Sequence, residues 1–155
     1  AREPSQLSGF MIDHIGFPVS DYARAKAFYA AALAPLGYTL IVEVQQDHNG
    51  ASACGFGIGG RPGFWIGGEG SLDKPLHVAF AAKDRASVDA FYTAALAAGG
   101  RDNGAPGIRA HYHPSYYAAF ARDPDGHNIE AVYHGEGNAP LQSAFTSSKK
   151  PGAAA

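Results

Sequence analysis

Two histidines and one glutamate are the residues of this chain best placed to do chemistry. His14 and His77 stand 63 positions apart, and Glu130 closes the run Asp-Pro-Asp-Gly-His-Asn-Ile-Glu that starts at Asp123. Two imidazoles and a carboxylate brought together make a facial triad with open positions, a donor set suited to Fe(II), Mn(II), Ni(II) or Zn(II). A second group is His111, His113 and Tyr116, in the stretch His-Tyr-His-Pro-Ser-Tyr-Tyr. A histidine beside a bound substrate serves as general acid or base near neutral pH, and a tyrosine hydroxyl orients an oxygen. The competing reading of that stretch is a surface loop with incidental histidines. His48, beside Asn49-Gly50, reads as an exposed turn residue, and His127 and His134 receive no role. Arg61, Phe64 and Trp65 are candidates for a pocket mouth or for ordinary packing.

The elements that must position these groups come from an internal repeat. Residues 14–37 align without a gap on residues 77–100. His14/His77, Phe17/Phe80, Asp21/Asp84, Phe28/Phe91, Tyr29/Tyr92, Leu33/Leu96 and Gly37/Gly100 are identical pairs. Each copy reads as a strand and then a helix. Asp21 and Asp84 are expected N-caps, because a short acid accepts hydrogen bonds from free N–H groups at the positive helix end. Ala25, Phe28, Tyr29, Ala32 and Leu33 form one apolar face, and Val88, Phe91, Tyr92, Ala95 and Leu96 the equivalent face of the second helix.

Three strand-like runs should follow each helix. In the first half they are 38–44, 51–58 and 63–67. In the second they are a run near 108–111, then 116–122 and 127–134, with Asp123-Pro-Asp-Gly as the clearest hairpin turn. The expected class is α+β: two βαβββ modules in tandem, residues 11–68 and 75–134, flanked by flexible termini at 1–10 and 135–155. Cys54 lies in a small-residue strand and reads as a buried filler.

Strand alternation assigns the faces. Ile15, Phe17 and Val19 share a bulky face that should pack on a helix, while His14 falls on the other face beside small residues. His77 falls likewise with Ala79 and Ala81, and Glu130 lies opposite the helix-facing side. If the sheet curls, the three converge. Isolated polar residues on a solvated face are the alternative, but such positions have no reason to retain one His in each copy.

Composition excludes several functions. Lys+Arg number 12 against Asp+Glu 14, so nothing is basic enough to track a phosphate backbone. The apolar runs are short and broken, so no membrane span is expected. The polar start of the chain and the single cysteine make the cytoplasm the default expectation.

Four stretches resemble the vicinal oxygen chelate superfamily, which includes glyoxalase I, fosfomycin-resistance transferases, extradiol dioxygenases and bleomycin-sequestering proteins. They are Met-Ile-Asp-His-Ile-Gly-Phe-Pro-Val from Met11, Ala-Phe-Tyr from Ala27, Leu-His-Val-Ala-Phe from Leu76, and the run from Phe120 to Val132. The resemblance implies a curled mixed β-sheet cleft, one divalent metal on His14, His77 and Glu130, and often a homodimer. It also implies a metal acting as Lewis acid on an oxygen-chelating small molecule, by isomerisation or lyase chemistry, thiol transfer or dioxygenation. Glyoxalase I carries a fourth ligand where this chain has Gly67; Glu69 is the alternative donor. The fosfomycin group has a Thr where this chain has Gly16, and the extradiol enzymes a Tyr where it has Phe120. A metal-free module that sequesters a planar antibiotic is the competing function.

Overall fold

Asp21 and Asp84 start the two helices as expected. The Asp21 carboxylate accepts from the Arg24 amide at 3.0 Å, and Asp84 from the Ser87 amide at 2.7 Å. Each satisfies one of the free N–H groups that open a helix. The structure, a computed structural model, describes residues 12–46 and 50–135. The expectations for the termini at 1–10 and 136–155 and for His48 lie outside the described residues, as does the side chain of Glu69. Among the described residues no helix is long and apolar enough to cross a membrane.

The first module runs β1 (Ile15–Val19), α1 (Tyr22–Leu33), β2 (Thr39–Val44), β3 (Ala53–Ile58) and β4 (Arg61–Glu69). The second runs β5 (His77–Ala81), α2 (Arg85–Ala97), β6 (Arg101–Ile108), β7 (Tyr117–Arg122) and β8 (Asn128–Tyr133). The two sheets have one topology, β1-β4-β3-β2 and β5-β8-β7-β6, each with its first strand parallel to its last. The protein is therefore α+β, two βαβββ modules in tandem. The expected apolar faces are the ones that bury. Phe28, Tyr29, Leu33, Val88, Phe91 and Ala95 are sealed off, together with Cys54.

One expected strand is displaced. β6 occupies Arg101–Ile108, not the run near 108–111, and His111–Pro114 forms turns rather than an extended segment. Arg-Asp-Asn-Gly-Ala-Pro-Gly has a loop's composition. It pairs with β7 nonetheless, with register breaks around Gly104.

One apolar core joins the modules. Phe64 meets Phe80 edge-on at 5.1 Å, and the Tyr38 hydroxyl donates to the Ala81 carbonyl at 2.8 Å. Deeper in, the Tyr29 hydroxyl donates to Asp123 at 2.5 Å, across 94 residues of sequence. The other Asp123 oxygen accepts from the Asp125 and His127 amides. This clamp fixes the turn that launches β8, and hence Glu130. Tyr29→Phe leaves a buried carboxylate short of a donor, which costs about 1–3 kcal/mol. Chemical denaturation should show that loss as a lower midpoint at an unchanged m-value.

Candidate metal centre

Cross-strand partners lie on the same face of a sheet. In the second sheet Ala79 pairs with Glu130, Glu130 with Phe120, and Phe120 with Gly104. The next row is His77, Asn128, Arg122 and Arg101. His77 and Glu130 therefore stand side by side on the face turned away from the helices, as alternation predicted. His77 Nε2 is 3.1 Å from Glu130 Oε2. Half of the His77 side chain is exposed, whereas Glu130 is buried.

The hydrogen bonds of this pair set what it can hold. His77 Nδ1 is 3.0 Å from the Asn128 carbonyl. A carbonyl only accepts, so Nδ1 carries a proton and Nε2 is the ring nitrogen left for Glu130. Nε2 faces a carboxylate oxygen. The other carboxylate oxygen, Oε1, already accepts from the Tyr116 hydroxyl. The contact is held either by a proton on Nε2, as an imidazolium–carboxylate pair, or by a metal cation between the two atoms. Burial pushes the Glu130 carboxyl above its usual range, against the Tyr116 and His77 contacts, which pull it down. Burial, followed by Glu130, raises the Tyr116 phenol.

This pair fits a metal ion. Donors on adjacent positions of an ion with bonds of ~2.1 Å at right angles lie roughly 3 Å apart. A metal-bound histidine characteristically donates its other N–H to a carbonyl or carboxylate, and a metal-bound carboxylate is itself hydrogen-bonded. His77 with Asn128, and Glu130 with Tyr116, have that outer layer.

His14 stands on the first sheet, just before β1. Its Nδ1 is 2.8 Å from Asp13 Oδ1, and Arg61 donates to Asp13 Oδ2 at 2.6 Å. The hydrogen bond with His14 and then Arg61 hold the Asp13 carboxyl below its usual range. His14 thus has an oriented imidazole with a carboxylate behind it, the same outer-layer pattern. Among the described residues, no three His, Cys, Asp or Glu side chains converge on a common point within one chain. Between the modules lies a groove of about 700 Å³, walled by Ile15, Phe56, Phe64 and Phe80 and lined also by Asp13, Arg61 and His77.

The fourth-ligand position is closed by sterics. A Cβ on Gly67 would sit 2.5 Å from the Ala53 Cβ and 2.9 Å from its Cα. Gly68, at φ +68°, sits where the register shifts, so that Glu69 pairs with Val19 while Gly67 pairs with Pro18. Trp65 lies across the neighbouring glycine, Gly55, whose Cβ would meet its ring at 2.8 Å. Phe64 is core rather than a pocket mouth alone, being 4% exposed.

The second group of expected residues is split. Tyr116 contacts Glu130. His113 turns instead to His134, with Nε2 2.8 Å from Nδ1. Because His113 Nδ1 accepts the Ser115 amide, its Nε2 bears the proton and donates it to His134. His111 packs on Tyr112 at 4.2 Å and is exposed. His134 went unassigned from the sequence, since a strand-end histidine carries no local signal of a partner 21 positions away.

Burial, and then the nearby His113, hold His134 below the ordinary value of 6.5. The unfolded chain therefore binds this proton more readily than the folded one. The stabilisation is complete above pH 6.5 and is lost as pH falls through that value toward the lower folded one. Melting temperature should drop as pH falls below 6.5, and drop less in His134→Gln.

The tandem modules, with histidines and a glutamate on their open faces, define a two-module glyoxalase-type fold. A family model confirms the class: the Glyoxalase/Bleomycin resistance protein/Dioxygenase superfamily matches residues 11–131. The chain belongs to that superfamily. It is similar to a glyoxalase/bleomycin resistance protein from Albidiferax ferrireducens T118, at 26% identity and a TM-score of 0.62, covering 79% of this chain and 98% of that one. Glyoxalase I from Zea mays shares the fold at 23% identity and a TM-score of 0.61. There the match covers 84% of this chain but 47% of the maize chain, so this chain spans about half its length. A glyoxylase/bleomycin resistance protein/dioxygenase domain from Frankia sp. EAN1pec matches at 17% identity and a TM-score of 0.61, over 83% of this chain and 99% of that one. No curated protein matches the chain.

Proposed function

We propose that this protein is a metal-dependent enzyme acting on an oxygen-chelating small molecule, with His14, His77 and Glu130 as the ligands of one divalent ion. The observation that carries the reading is the His77–Glu130 contact, in which the imidazole Nε2 and a buried carboxylate oxygen lie 3.1 Å apart, each already backed by a partner of its own. Fe, Mn, Ni and Zn all suit this donor set. The bound ion would supply Lewis acidity toward oxygens on which negative charge develops. Tyr116 holds the Glu130 carboxylate in place, and the Asn128 carbonyl holds the His77 ring. Tyr116 is the hydroxyl that orients an oxygen; His113, whose ring meets Tyr116 at 5.3 Å, and the exposed His111 would carry protons only after leaving their His134 and Tyr112 contacts.

The site closes between two chains in this proposal. One protomer supplies His14 with its Asp13 support, and its partner supplies His77 and Glu130. Two features support a homodimer: among the described residues no three ligand-type side chains of one chain converge, and Val42 and Val44, paired with Gly55 and Ala53 in the first sheet, are exposed.

The test is to assay Fe-, Mn-, Ni- and Zn-loaded protein on a hemithioacetal, an epoxide with a thiol, and a catechol. Turnover of one substrate class by wild type, lost together with the ion in His77→Ala, supports the reading. Turnover that survives His77→Ala undiminished sinks it.

A further inference from the structure

The second sheet holds a cation that the metal reading does not use. Arg109 follows the end of β6 and folds back over that strand. Its guanidinium carbon lies 5.3 Å from the centre of the Phe120 ring, a cation–π distance. Nη1 donates to the Gly107 carbonyl at 2.9 Å and Nη2 to the Ala105 carbonyl at 2.8 Å.

Missing side chains make the seat. A Cβ on Gly107 would come within 3.2 Å of Nη1. A Cβ on Gly104 would come within 3.0 Å of both Nη2 and the Phe120 ring. Gly104 also sits at φ +149°. The glycines that give β6 its loop-like composition are the ones that make room for the guanidinium.

The seat shares a face with the proposed ligands. Gly104 pairs with Phe120, and Phe120 with Glu130. The Phe120 ring lies nearly parallel to the His77 ring, 6.4 Å away. Two of the five N–H donors of Arg109 go to its own strand, and the rest have no partner among the described residues. A planar cation held in one orientation with donors to spare takes a carboxylate through two parallel N–H···O bonds.

We infer that Arg109 is a specificity-determining residue, and that the oxygen-chelating substrate carries a carboxylate bound by its guanidinium. This rests on the proposed function, which makes the His77–Glu130 face the reaction site. A divalent ion, one carboxylate and one guanidinium sum to a net positive charge, which favours an anionic ligand.

Acetohydroxamate and succinate monohydroxamate separate the two contributions. They share an oxygen–oxygen chelating head, and only the second bears a carboxylate. Both are titrated calorimetrically into metal-loaded wild type, Arg109→Gln and Arg109→Lys, after metal affinity has been measured for each. The carboxylate probe should bind wild type about 10-fold tighter than acetohydroxamate. That ratio should fall to about 1 in Arg109→Gln and lie between in Arg109→Lys, which keeps the charge but not the fork. A wild-type ratio near 1, or a ratio unchanged in Arg109→Gln, overturns the inference and leaves Arg109 as a strand pin. If the protein takes up no metal, the proposed function fails on its own. The same pair, titrated by NMR into metal-free protein, then decides the role of Arg109 by the same ratio.

Discussion

Glu130→Gln is expected to lower metal affinity by more than about 100-fold, since loss of an outer-layer partner alone costs about 10–100-fold and Glu130 is placed inside that layer. The amide keeps the size of the carboxylate and can still accept from Tyr116, so the effect comes from charge rather than packing. The fold should survive. Glu130 is buried against the preference of its charged form, and a neutral amide removes that desolvation cost. Calorimetric titration with the four candidate ions, alongside circular dichroism, reads both parts. Unfolding of the variant would give the residue a structural role. Undiminished metal affinity would remove it from the ligand set.

Mixing two defective variants is expected to restore metal binding. In a dimer that shares its sites, His14→Ala spoils the first-sheet contribution of a chain and His77→Ala the second-sheet contribution. A heterodimer of the two has one doubly spoiled site and one intact site. Random exchange makes about half the dimers mixed, so about a quarter of all sites should recover high affinity. Each variant alone should have none. A site closed within one chain predicts no recovery on mixing, and sedimentation of the metal-loaded wild type as a monomer would argue the same way.

The strand–helix repeat was legible because its signals are local. Asp21 and Asp84 cap helices through amides three residues on, and Phe28, Leu33, Phe91 and Ala95 bury through simple periodicity. Strand alternation placed His77 and Glu130 on one face for the same reason. β6 was not legible, because its glycines answer to Arg109 and Phe120 rather than to strand propensity. The outer layer was equally hidden. Asp13 finds Arg61 48 residues away, His113 finds His134, and His77 uses a backbone carbonyl that has no sequence signature. Gly67 could be read as a missing ligand, but only the packing of Ala53 against it explains why no side chain fits there.

Metal binding by the wild-type protein, stripped with a chelator and then retitrated, tests the central claim most directly. The account predicts one divalent ion per chain, bound tightly enough to survive gel filtration and confirmed by elemental analysis. The ion's identity would then narrow the reaction, Fe(II) toward dioxygenation, Mn(II) toward epoxide opening, and Ni(II) or Zn(II) toward isomerisation. No uptake of any of the four ions would contradict the account, and the cleft would then be that of a metal-free module holding a planar ligand.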